Sequence, residues 1–193
     1  MIIPNYIQIK RAAKGGAETD MAIKPVKIKI MTTTTDLMHK NSLSIEVEGG
    51  LDEEFFDDAF DDAEIDGKPV VFETEGVMSL EKGLMKIMYD ESAIVGSKSA
   101  ETVFAFNYDT PSTVSMFKNG NLSAALVFDS VKKRQVCLYN NGPFSFEITV
   151  RTDMLINEIT YEKGGKMTAE YTVEIKGIPA EVNRISVKVT PIA

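Results

Sequence analysis

In the stretch VKIKIMTTTT, Val26, Ile28 and Ile30 alternate with Lys27 and Lys29, which puts apolar groups on one face and charge on the other. That period of two marks a strand with one buried face. The alternation recurs in PVVFETEG, LMKIMYDE, ETVFAFNY, STVSMFKNG, NLSAALVFD, RQVCLYN, PFSFEITVRT, MLINEITYE, KMTAEYTVEIKG and NRISVKVT. Turn signals stand between these runs: Asn119-Gly120, Asn141-Gly142-Pro143, Gly164-Gly165 and Gly177 through Pro179. Strands in close succession, with short turns and no helices between them, predict an all-β antiparallel meander. Such a meander closes into an up-and-down barrel to remove its edges, here of roughly eight to ten strands.

The same period predicts which side chains point inward. Met85, Ile87, Tyr89 and Glu91 share one face of their strand, and Val114, Met116 and Lys118 share one face of another. Leu122, Ala124, Leu126 and Phe128 form a third inward set, Phe144, Phe146, Ile148 and Val150 a fourth, and Met167, Ala169, Tyr171, Val173 and Ile175 a fifth. The interior is apolar except for Glu91 and Lys118, each continuing an apolar face at the end of its strand. A charge on such a face must be paired or lie near the barrel mouth, because burying it alone costs several kcal/mol. Two readings follow: both residues sit at the rim and reach solvent, or they guard the entrance of a ligand cavity.

Two segments break the pattern. Residues 1–20, including IQIKRAAKGGAETD, are polar with a glycine pair and read as a loose arm ahead of a single barrel domain over 21–193, so that either Met1 or Met21 is the biological start. In residues 51–66, Phe56, Ala59, Phe60 and Ala63 fall at i, i+3, i+4 and i+7 behind Asp52 and two glutamates, which predicts a short acidic helix inserted between strands.

Charge sharpens this division. The net charge of −8 is concentrated between Asp52 and Asp66, which hold nine of the 29 acids and no base; the remaining 20 acids face 21 bases. Nucleic acid is therefore not an expected partner, since phosphate binding needs a concentrated basic surface, and Lys132–Arg134 reads as a solvated hairpin turn. No apolar run reaches membrane-spanning length and the first residues lack a secretory pattern, so a membrane is not expected either. With one cysteine, Cys137, no internal disulfide can form, and a reducing cytoplasmic setting is the expectation.

Candidate chemistry is sparse. DAEIDGKPVVFE at Asp62–Glu73 nearly spells a calcium loop, D-x-E-x-D-G-x5-E. The closing Glu73, however, lies in the β-branched PVVFETEG, where a strand and not the exiting helix is expected. One histidine, His39, and one cysteine exclude a zinc site in practice, and no G-x-S-x-G elbow or phosphate loop is present. The expectation is a protein that is not an enzyme and uses no metal or cofactor.

The runs ETEGVMSLEKGLMKIMYDES, ETVFAFN, VSMFKNGNLSAALVFD, CLYNNGPFSFEITVRTDML and GKMTAEYTVEI resemble the YwiB-like family of bacterial proteins, known as domain of unknown function 1934. The shared features are Gly76 before a hairpin, YDE around Tyr89 and Glu91, Thr102, Met116 with Gly120, VFD at Phe128, Tyr139, Gly142-Pro143-Phe144 and Thr152. The resemblance covers about 26–189, excluding the acidic insertion, and implies a lipocalin-like (calycin) barrel without an activity attached. Lys118 stands where that family often carries arginine, which replaces a bidentate fork with a point charge.

Two functions from different classes remain open. In the first, the barrel holds a small apolar or amphipathic ligand, with Met85, Tyr89, Glu91, Phe104, Met116, Lys118, Phe146 and Met167 as candidate binding residues. In the second, the chain is a protein interaction module, monomeric or homodimeric, that docks through the acidic helix with Phe55, Phe56 and Phe60 as anchors. Interior volume separates them: a cavity of a few hundred Å³ favours the first, a filled barrel the second.

Overall fold

The computed structural model describes residues 21–37, 67–92, 100–120, 122–141 and 143–192. The loose arm over 1–20, His39, the acidic helix over 51–66 with Phe55, Phe56 and Phe60, and Asp62, Glu64 and Asp66 of the calcium-like loop lie outside the described residues. Ten strands follow one another: β1 (Met21–Asp36), β2 (Val70–Glu81), β3 (Leu84–Asp90), β4 (Glu101–Asn107), β5 (Thr113–Asn119), β6 (Leu122–Asp129), β7 (Arg134–Asn141), β8 (Phe144–Asn157), β9 (Gly165–Ile175) and β10 (Ile178–Pro191). Each pairs antiparallel with its neighbours in sequence, and β1 pairs with β10, so the sheet closes as an up-and-down barrel. Closure leaves no edge to template aggregation. Glu73 does lie in a strand, β2, where its carboxylate meets Lys29 at 3.0 Å across the β1–β2 ladder.

The runs PFSFEITVRT and MLINEITYE, separate in the sequence pattern, are largely one strand. A register shift between Thr152 and Met154 inserts Asp153 into β8 as a bulge, which turns the inward phase over without ending the ladder. A bulge reverses the alternation, so a period-two reading registers it as a break. Two hairpins are tight for a stated reason: Lys82-Gly83 and Lys176-Gly177 both hold positive φ at two successive residues (48° and 80°; 53° and 79°), the geometry whose twist matches the flanking strands.

The β6–β7 turn is held by Asp129, whose Oδ1 accepts the Val131 and Lys132 amides at 2.8 Å and whose Oδ2 accepts the Thr113 hydroxyl at 3.1 Å. Partial desolvation pushes its pKa up, but these hydrogen bonds outweigh it and hold the carboxyl below its usual range. A depressed folded-state pKa contributes stability above the unfolded value and loses it as pH falls through the folded one. Asp129→Asn is accordingly expected to cost about 1 kcal/mol at neutral pH. The difference from wild type should shrink below about pH 4, as read by urea unfolding at both pH values; a gap that widens in acid would refute this.

The inward phase agrees with the sequence reading over most of the barrel. Phe128 is fully buried, with its ring 4.8 Å from that of Tyr171, while its neighbours Val127 and Asp129 face outward. The core is unevenly filled. Around one half of the barrel, Ile28, Ile30, Met78, Met85, Ile87, Phe104, Val114, Phe128, Met167 and Val187 are large and have almost no accessible surface. Toward the other end the inward positions of β1, β6, β9 and β10 carry small or branched residues: Thr32, Thr34, Ala124, Val173 and Ala180. Large side chains fill one end of the barrel and smaller ones leave space at the other.

Candidate functional site

That space is a cavity of about 610 Å³. Its apolar wall is built from inward residues of adjacent strands: Met116 on β5, Ala124 and Leu126 on β6, Phe146 and Ile148 on β8, Val173 and Ile175 on β9, and Ala180 and Ile185 on β10. Polar groups border the same space: Lys118, Tyr139, Tyr171, Glu181, Asn183, Thr32 and Thr34. Phe146 is half exposed and stacks on Phe144 with centroids 6.3 Å apart, so the two rings form a rim.

Of the residues expected to bind a ligand, Met116, Lys118 and Phe146 border the cavity. Met85, Phe104 and Met167 do not: each is at most 1% exposed and packed in the core. Period two assigns a residue to the inside but does not tell whether it meets packed neighbours or open space there; Phe104 is packed although its cross-strand partner Met116 borders the cavity. Tyr89 and Glu91 are not in its lining either; Glu91 is connected to it through Lys118. Phe144, in the inward phase of β8, projects past the packed region and is exposed.

Tyr89, Glu91 and Lys118 form one cluster. Tyr89, Thr102 and Lys118 are direct cross-strand partners on β3, β4 and β5. The Tyr89 hydroxyl donates to Glu91 Oε1 at 2.8 Å, and Lys118 Nζ approaches the two carboxylate oxygens at 3.5 and 3.4 Å. Glu91 is buried, 6% exposed, and its amide donates to the Ala100 carbonyl at 2.7 Å. The reading that placed both charges at a solvated rim therefore holds only for Lys118, whose side chain is 34% exposed. Burial, then the Glu91 charge and the hydrogen bond to it, drive the Tyr89 pKa far upward, so Tyr89 stays a neutral donor. Thr102 Oγ1 is buried beside this cluster with no hydrogen-bond partner among the described residues.

A second polar group sits across the mouth and was not identified from the sequence. From Glu181 to Val189 the β9–β10 register is unbroken, so Glu181, Asn183 and Ile185 share the inward face with Val187 and Val189. Glu181 pairs with Val173 and Asn183 with Tyr171. The Thr34 hydroxyl donates to Asn183 Oδ1 at 2.7 Å, and Asn183 Nδ2 turns to Glu181 Oε2 at 3.5 Å. Burial and then the Glu181 charge raise the pKa of both Tyr139 and Tyr171, placing both phenols in the field of that carboxylate. Counting back by two from Val189, Val187 and Ile185 would have reached Glu181, but Val182 in the opposite phase obscures the pattern.

Other chemistry is not assembled among the described residues. Cys137 is a free, buried thiol whose pKa is pushed up by desolvation, which disfavours the reactive thiolate. Among the described residues no group of three or more histidine, cysteine or acidic side chains comes together as a metal site.

No curated protein matches the chain. The crystal structure of the ywiB protein from Bacillus subtilis is similar in fold, with a TM-score of 0.62 over 90% of this chain and 96% of that one, at 11% identity. The family model described as Domain of unknown function (DUF1934) matches residues 59–187, and the chain, a closed ten-stranded barrel of lipocalin-like form, belongs to that family.

Proposed function

We propose that this protein is a non-enzymatic binding barrel that holds a small, largely apolar or amphipathic molecule in the open end of its interior. The observation that carries the reading is the cavity of about 610 Å³, walled by aliphatic side chains and edged by a few polar ones. Pockets for small molecules have this build, at about 300–1,000 Å³ with a mostly apolar lining and sparse orienting groups. Met116 in the wall can adapt to an irregular apolar shape. A single cysteine kept as a buried free thiol fits a reducing compartment such as the cytoplasm. The alternative of docking through Phe55, Phe56 and Phe60 has no support among the described residues.

A neutral fluorescent probe, N-phenyl-1-naphthylamine, tests the reading. Wild type is expected to bind it with an emission increase, and Ala124→Trp, which fills the cavity from β6, should weaken binding at least about tenfold, or about 1.4 kcal/mol. An Ala124→Trp protein that folds and binds the probe as well as wild type would refute the site.

A further inference from the structure

We propose that the cavity selects ligands with a cationic, ammonium-type head over those with a carboxylate head, and that Glu181 is the group that recognises it. The inference rests on the ligand-binding reading above and specifies the chemistry of the same site. Both cations that border the cavity among the described residues already face an acid. Lys118 faces Glu91 at 3.4 Å, and Glu91, buried and held by the Tyr89 hydroxyl, has little freedom to turn away and release it. The Arg184 guanidinium is engaged by Glu170, with Nε donating at 2.6 Å. An incoming carboxylate would have to share its cation with an acid already in place.

The bordering anion is in the opposite situation. Glu181 is exposed, has no ion-pair partner among the described residues, and receives one long hydrogen bond, from Asn183 at 3.5 Å. Asn183 is itself fixed by Thr34, so that contact leaves the outer part of the carboxylate available. Tyr139 and Tyr171 lie in the Glu181 field and border the cavity, as does Phe146. Aromatic rings bordering the same cavity as an unpaired carboxylate favour a cation by charge and by the ring quadrupole. The apolar body of such a ligand would lie against Leu126, Ile148 and Ile185.

Three probes of equal chain length separate head from body: decylammonium, decanoate and decanol, titrated below their micellar concentrations by calorimetry at neutral pH. Decylammonium is expected to bind at least about tenfold more tightly than decanoate, with a preference that shrinks as salt is added. In Glu181→Gln the two ionic probes should bind within about twofold of each other. The salt titration on wild type gives a reading that does not depend on the variant. If decanol and decanoate bind but decylammonium binds no tighter, this inference fails while the binding barrel stands. If none of the three binds, both fail.

Discussion

Gly76→Ala is expected to destabilise the barrel by about 3 kcal/mol, a fall in melting temperature of roughly 6–12 °C for a chain of this size. The sign is the informative part, because adding a methyl group to a strand glycine ordinarily helps by reducing the entropy of the unfolded chain. Gly76 lies in β2 between Val26 of β1 and Tyr89 of β3. A Cβ there would stand 2.4 Å from the Met88 carbonyl oxygen and 2.6 Å from Ile28 Cδ1. The Ile28 methyl can rotate away, but the carbonyl belongs to the β2–β3 ladder and moves only if that ladder opens. Overpacking against backbone therefore dominates. Urea unfolding should show a lower midpoint with an unchanged slope; a variant as stable as wild type would show that the strands part without cost.

Lys118→Met is expected to cost a similar amount, about 3 kcal/mol, because it removes the cation beside a carboxylate that is 6% exposed. The figure is at the low end for breaking a buried pair because the Lys118 side chain keeps a third of its surface in water. A double variant, Lys118→Met with Glu91→Gln, should recover at least half of the loss, since a neutral amide keeps the Tyr89 hydrogen bond without needing a counter-charge. Thermal or urea unfolding of the two singles and the double closes a mutant cycle. Additive losses would mean that Glu91 is compensated by something other than Lys118. Lys118→Arg, restoring the residue often found in the resembling family, should be neutral or slightly stabilising if its fork spans both carboxylate oxygens.

The alternation of Val26, Ile28 and Ile30 with lysines, and the equivalent runs downstream, determined the barrel. Strands joined by short turns have one economical way to lose their edges, and the inward identity of Phe128, Met85 and Tyr89 follows from period two alone. The same sequence marked Glu91 and Lys118 as charges on an apolar face, which must be paired or lie near the barrel mouth, and the structure pairs them with each other. Three things were decided only in three dimensions. Whether an inward residue meets packed neighbours or open space depends on what the other strands bring opposite it, so Met85, Phe104 and Met167 are packed in the core and Met116 and Phe146 border the space. The bulge at Asp153 resets the phase of β8, and the register shift between Pro179 and Glu181 interrupts β10; local alternation cannot show which residue has been inserted. The cavity arises where small residues from distant strands, Thr32, Ala124 and Ala180, converge at one end, and the size of one side chain leaves a void only when those across the barrel are small too.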